Sequence, residues 1–310
     1  KVSILYPFLK KYKSETIDAE TKSKIYSNVK STGIVKVSGL LVNSTHNIIL
    51  NYFSGLVMVG LLSNYNLLIG LASGVIMQVF ANIRGSIAHI NVTESHEKKV
   101  ATFNTINFAN FWIYGWVTVG IIFLLNDFIQ IWIGSKYVLS IWAVVALALN
   151  FYMLGMQNAV WTFKSTFGIF KEGRYVVFFT ALINLILAFW LGSIFGLEGI
   201  LFATAIARLV TNCWYDPYLV YKIALQLNPM EYLKKYTFYI VIIAVTIAIL
   251  FGLNVFLPKT NFLIFTVKVL LSLVIPNSVI YLFCKNTDEY KGLSQLIMAM
   301  FYKIKGKIIK

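Results

Sequence analysis

A chain of 310 residues that is 58% hydrophobic and only 13% charged lies far from soluble-protein usage, where about a quarter of residues are charged. Repeated apolar runs of about 20 residues or more define a polytopic helical membrane protein and exclude a soluble domain. The net charge of +15 raises the question of nucleic acid, and the distribution of the cations answers it in the negative.

Residues 1–33 are polar and lysine-rich, with Glu15, Asp18 and Glu20 interspersed. They read as a cytosolic linker, partly helical. The chain opens on Lys1, and an upstream portion is expected. Eight candidate spans follow at 34–53, 55–83, 106–126, 138–163, 175–196, 199–221, 238–257 and 262–284, so the fold class expected is an all-α polytopic membrane protein with about eight transmembrane helices. The second helix is expected to run on to about Val92. The segment 285–310 sets Lys285, Lys291, Lys303, Lys305, Lys307 and Lys310 beside Leu296, Ile297, Met300 and Phe301, a basic amphipathic cytosolic tail suited to an anionic inner leaflet.

Eight spans put both ends on one side. With the N-terminus inside, 23 of the 27 cations fall on inner segments, and only Lys136 and Lys259 fall outside. The positive-inside rule therefore makes both ends cytosolic and accounts for the +15 without nucleic acid. The outer links, near Ser54 and at 127–137, 197–198 and 258–261, leave no room for an extracellular catalytic domain.

Four helices carry a polar or aromatic face at helical spacing. The first has Lys36, Asn43, Asn47 and Asn51, with His46 beside them. The second has Gln78, Asn82 and His89, flanked by Arg84. The fourth aligns Asn150, Gln157, Trp161 and Lys164. In the sixth, Thr204, Arg208, Thr211 and Tyr215 share a stripe, with Arg208 near the middle of the span. Such faces serve helix–helix packing in lipid; four together, ending in cations at the inner side, point to a hydrated cavity open to the cytosol. A central arginine costs about 2.5–3.5 kcal/mol on insertion scales, so Arg208 needs a partner, a wet cavity or an anionic ligand. Asp216, two turns on, lies about 12 Å away along the helix axis, too far for a strong pair. The chain has 24 lysines and three arginines, Arg84, Arg174 and Arg208; the planar guanidinium can grip phosphate at two points. The candidate substrate-binding residues are thus Arg208, Arg84, Arg174, Lys36, His46, Asn43, Asn47, Gln78, Asn82 and Lys164. No paired acids, nucleophile–base motif or metal-ligand spacing appears, so an enzyme, a metal and a cofactor are not expected.

Several stretches resemble bacterial polysaccharide flippases: YPFLKKYK at 6–13, SNVKSTGIVKVSGLLVNSTHNIIL at 27–50, NFWIYG at 110–115, IWIG at 131–134, NFYMLGMQNAVWTFKSTFGIF at 150–170 and WYDPYLVYK at 214–222. These are the Wzx-type transporters of the multidrug/oligosaccharidyl-lipid/polysaccharide exporter superfamily. Members commonly carry an acidic residue at the place of His46. The resemblance implies a second six-helix lobe at 34–225, two additional helices at 226–284, residues 1–33 as the linker between lobes, and a first lobe supplied upstream. It implies movement of undecaprenyl-pyrophosphate-linked oligosaccharide across the bacterial cytoplasmic membrane by alternating access, with a polysaccharide polymerase or glycosyltransferases as further partners. The alternatives are a drug/cation antiporter of the same superfamily, a scaffold of a polysaccharide synthesis complex, and an integral-membrane glycosyltransferase.

Overall fold

The computed structural model describes residues 18–257 and 261–308. It contains α1 (Ala19–Thr93), α2 (His96–Trp132), α3 (Ile141–Thr166), α4 (Val176–Val210), α5 (Asn212–Leu219), α6 (Pro229–Asn254), α7 (Phe262–Cys284) and α8 (Asp288–Ile308), with a 3-10 turn at Ser135–Tyr137 and a π-helical turn at Val220–Ala224. No strand occurs among the described residues. Among them, six helical stretches are long and apolar enough to cross a membrane: Ile48–Thr93, His96–Trp132, Ile141–Thr166, Val176–Ala224, Pro229–Asn254 and Phe262–Cys284. The chain is an all-helical protein of membrane-spanning character.

Polar caps start the helices where the apolar periodicity begins. The side chains of Asp18, Ser95, Ser140, Asn228 and Asn261 accept the backbone N–H of Thr21, Lys98, Ala143, Met230 and Ile264, satisfying donors that a helix N-terminus leaves free. Pro229 occupies the first turn of α6, where its missing N–H costs nothing.

Two of the long helices are interrupted by glycine. Gly55 has φ 76° and ψ 166°, and Gly196 has φ 58° and ψ −130°. Each lies within a residue of an expected outer link, at Ser54 and at 197–198. At Gly196 the chain folds back on itself. Thr204 donates to Asn184 Oδ1 at 3.1 Å, and Thr180 and Thr211 meet hydroxyl to hydroxyl at 2.7 Å. The paired numbers converge on the glycine, as they must in an antiparallel hairpin. Ser54 Oγ lies close to Gly196, and Phe53 meets Phe189 edge to face at 5.9 Å, so the two glycine breaks are neighbours in space.

The bundle is built on α2 and α3. In their most apolar windows 61% and 78% of residues are buried, against 11% for α1, so α2 and α3 form the centre and α1 is peripheral. They touch through Gly155, where an added Cβ would sit 2.0 Å from the Tyr114 ring. Asn110 donates to the Gly155 carbonyl at 2.7 Å, and Asn158 donates to the Tyr114 hydroxyl at 2.7 Å. The aromatic cluster Trp112/Tyr114/Trp116 is thereby spent on packing.

The last two helices of the bundle are fastened by polar contacts. Pro276 cannot bond the Ser272 carbonyl one turn earlier, and the Trp116 indole N–H takes that carbonyl at 2.9 Å. Trp112 donates to Asn277 at 2.6 Å, and Lys268 pairs with Asp127 at 2.7 Å. The segment read as a basic amphipathic tail docks by its first turns: Glu289 pairs with Lys235 of α6 at 2.6 Å, and Tyr290 stacks on Trp112 with ring centres 5.9 Å apart.

Two outcomes follow from these contacts. A side chain at Gly196 must adopt backbone angles that only glycine tolerates, so Gly196→Ala should lower stability by about 1–3 kcal/mol. Gly252→Ala, in open space on α6, should leave stability unchanged or slightly higher; thermal unfolding in micelles compares the two. Burial pushes the Glu289 carboxyl up, but the hydrogen bond and charge of Lys235, with further hydrogen bonds from its own backbone N–H and from Thr287, together hold the group below its ordinary 4.5. Because folding lowers this value, the contact stabilises docked α8 above pH 4.5 and is lost as the pH falls through the lowered folded value. Amide exchange across 288–295 should rise at low pH in the wild type, and Glu289→Gln should flatten that dependence.

Candidate functional site

The polar stripe of α3 meets the stripe of the segment from Gly199 to Leu219. Asn150, Gln157, Trp161 and Lys164 are separated by seven, four and three residues and so lie along one face. Each finds its counterpart in turn. The Arg208 guanidinium donates from Nη1 to the Asn150 carbonyl at 3.1 Å. Gln157 Nε2 lies 3.9 Å from Cys213 Sγ. Trp161 Nε1 donates to Asp216 Oδ2 at 3.1 Å, and Lys164 Nζ donates to Asp216 Oδ1 at 2.5 Å. From Asn150 to Lys164 the seam runs about 21 Å along α3, most of a bilayer's hydrocarbon thickness.

The local backbone explains the geometry. The span expected to be continuous from 199 to 221 is broken. Thr211 leaves the helix at φ −126° and ψ −92°, α5 carries Pro217, and a π-helical turn follows at Val220–Ala224. Pro217 removes an i→i−4 bond and crowds the preceding turn. Thr211 Oγ1 turns back to Ala207 O at 2.6 Å, and Thr180 bonds to Asn212. Arg208 therefore stands in the last turn of α4 rather than at mid-helix. The same break turns Asp216 toward α3, with 1% of its side chain exposed.

A carboxylate so buried needs compensation for lost hydration. Lys164 supplies the charge and Trp161 fills the second oxygen. The ammonium in turn rests on Gly173, where a Cβ would lie 2.1 Å from Nζ. Arg174, the next residue, sets its guanidinium over the Tyr175 ring at 4.8 Å, and its Nε is buried without a hydrogen-bond partner. Lys164, Asp216 and Gly173, the neighbour of Arg174, thus meet at one end of the seam.

The other candidates lie elsewhere. Gln78, Asn82 and Arg84 are exposed on α1, as are Asn51 and His89. Lys36 is exposed on the same helix. The side chains of Asn43, His46 and Asn47 lie outside the described residues. The C-terminal ends of α1 and α3 are joined by a hydrogen bond from Asn91 to Thr166. Of the four polar faces, those of α3 and of the segment from Gly199 are brought together, and the face of Gln78, Asn82 and His89 on α1 is exposed. The rest of the Arg208 stripe is engaged within the fold: Thr204 and Thr211 bond across the hairpin, and Tyr215 reaches the Glu172 carbonyl at 3.4 Å. Comparison with protein-family models, curated proteins and solved structures finds no match to this chain.

Removing one member of a buried pair strands the other, at a cost of about 3–5 kcal/mol. Lys164→Met should therefore destabilise strongly, and Lys164→Met combined with Asp216→Asn should recover most of the loss. Unfolding midpoints in micelles measure both, and an unchanged midpoint in the single variant would show that the pair is idle.

Proposed function

We propose that this chain forms one wall of a hydrated path through which an undecaprenyl-pyrophosphate-linked oligosaccharide crosses the bacterial cytoplasmic membrane. The observation that carries the reading is the exposed polar face of α1. Gln78, Asn82 and Arg84 stand exposed on a helix long and apolar enough to cross a bilayer. Gln78 and Asn82 fall within the expected span 55–83, where amide groups are costly against hydrocarbon and belong against protein or water; Arg84 stands just past its end. A second lobe facing α1 across a wet cavity, as the resemblance to polysaccharide flippases implies, meets that need.

The cations along the seam fit the same substrate. Arg208, which spends one N–H on the Asn150 carbonyl, and Arg174 offer donors to a pyrophosphate, with Arg84 exposed on α1; Lys164 is committed to Asp216. In this reading the chain crosses the membrane eight times, the glycine breaks at Gly55 and Gly196 are outer turns, and both ends are cytosolic. Sugar hydroxyls meet the amides of Gln78 and Asn82, and the substrate phosphates meet the guanidinium groups.

The test is polysaccharide export in cells that depend on this protein. Gln78→Leu with Asn82→Leu should cut export about tenfold or more at matched membrane abundance, the loss expected for two hydrogen-bonding groups at roughly 1 kcal/mol each. A helix facing lipid would accept both leucines without loss, so normal export would place the path elsewhere.

A further inference from the structure

We infer that the outer end of the α3–α4 contact holds an amine-bearing phospholipid, its ammonium on Glu198 and an acyl chain in the groove below. A groove of about 610 Å³ opens there between the start of α3 and both arms of the α4 hairpin. One wall is Glu198, Phe202 and Ile206, which lie at i, i+4 and i+8 and so descend one face of the helix. That stripe covers about 12 Å. The facing arm contributes Leu191 and Phe195, and Trp142 of α3 closes the side. Phe195 and Trp142 are 60% and 64% exposed, so the groove opens to the surroundings of the bundle rather than to its core.

The groove has a head and a tail. Glu198 is the one charged residue lining it, two residues from the Gly196 turn, and everything below is apolar. An occupant must therefore carry positive charge at one end and hydrocarbon along about 12 Å. A soluble cation lacks the tail, and an anionic lipid meets the wrong charge. Ser140 donates to Glu198 Oε1 at 2.5 Å while capping α3 through the Ala143 N–H at 3.1 Å. One hydroxyl occupies a small part of a carboxylate with about four acceptor positions, so the group can hold an ammonium as well. The Trp142 face adds a cation–π contact of the kind that binds alkylammonium groups. The site is separate from the Arg208–Lys164 seam and needs no assumption about the transported substrate.

Native mass spectrometry of the purified chain, exchanged into mixed micelles with equal phosphatidylethanolamine and phosphatidylglycerol, reads the retained lipid. The wild type should retain the amine lipid with about tenfold preference, the scale of one charge-assisted hydrogen bond. Glu198→Gln keeps an acceptor for Ser140 and removes the charge, and it should abolish the preference. Ser140→Ala removes the α3 cap and should leave the preference intact, which separates lipid binding from helix capping. N-acylated phosphatidylethanolamine, with the same chains and no ammonium, should bind no better than phosphatidylglycerol. Equal retention by the wild type, or an undiminished preference in Glu198→Gln, overturns the assignment. So does saturable binding of tetraphenylphosphonium that the amine lipid does not displace.

Discussion

A single carboxylate constrains the middle of this molecule. Asp216 sits within a stretch that must otherwise be apolar, and it is almost wholly buried. Burial of a lone charge there is prohibitive, so the chain must bring a cation and a donor to it from another helix. Lys164 and Trp161, three residues apart on α3, do so together. Because each takes a different oxygen, the pair fixes both the depth and the rotation of α5 against α3. Breaks flank α5 on either side, at Thr211 and at the π-helical turn Val220–Ala224. Local backbone irregularity is tolerated in lipid only where protein buries it, and α5 satisfies this, with Asn212, Cys213, Asp216, Pro217 and Leu219 all buried.

The polarity of the bundle is divided in consequence. The central helices α2 and α3 turn amides inward, and the amide N–H groups of Asn110 and Asn158 donate to the Gly155 carbonyl and the Tyr114 hydroxyl. On α1 the amides face out. Hydrocarbon is as apolar as leucine, so a membrane helix gains nothing by exposing amides to lipid. The exposure of Gln78 and Asn82 on an apolar helix is the physical argument that α1 borders a partner or a cavity. The same logic sets the groove at the start of α3 apart: its walls are apolar, and its one acid, Glu198, sits at one end.

Much of the helical plan was legible in the residues. Apolar runs gave the helices, and the second helix runs to Thr93 where Val92 was expected. The stripe of α3 was legible too, because helical spacing alone places Asn150, Gln157, Trp161 and Lys164 on one face. Its partners were not. Which helix meets that face depends on the break at Thr211, and the break depends on Pro217 together with a hydroxyl cluster drawn from Thr180, Thr211 and Asn212, residues some 30 positions apart. Periodicity treats 199–221 as one rod and so sets Arg208 at its midpoint. The docking of Glu289 on Lys235 was hidden for a similar reason: the basic, amphipathic composition of 285–310 describes its later turns, whereas two acids in the first turn of α8 decide where it attaches.

The attachment of α7 shows how such a bundle can be specific without a hydrophobic driving force between helices. Proline at 276 leaves the Ser272 carbonyl without its helical donor. In lipid that group would stay unsatisfied at a cost of several kcal/mol, so α7 is stable only in the register that presents Ser272 to the Trp116 indole. Asn277, one residue beyond Pro276, then meets Trp112, one turn from Trp116 on α2. Lys268, one turn before Ser272, meets Asp127 about three turns further along α2. Three contacts at successive depths, each between groups that cannot be left bare, make any one-turn slip of α7 unfavourable at every level. A defect built into one helix thus selects its neighbour, and the same device, a broken helix that must be completed from outside, recurs at Asp216. The bundle is held in register by its irregular places, and these are also the places where the chain's charges lie within reach of one another.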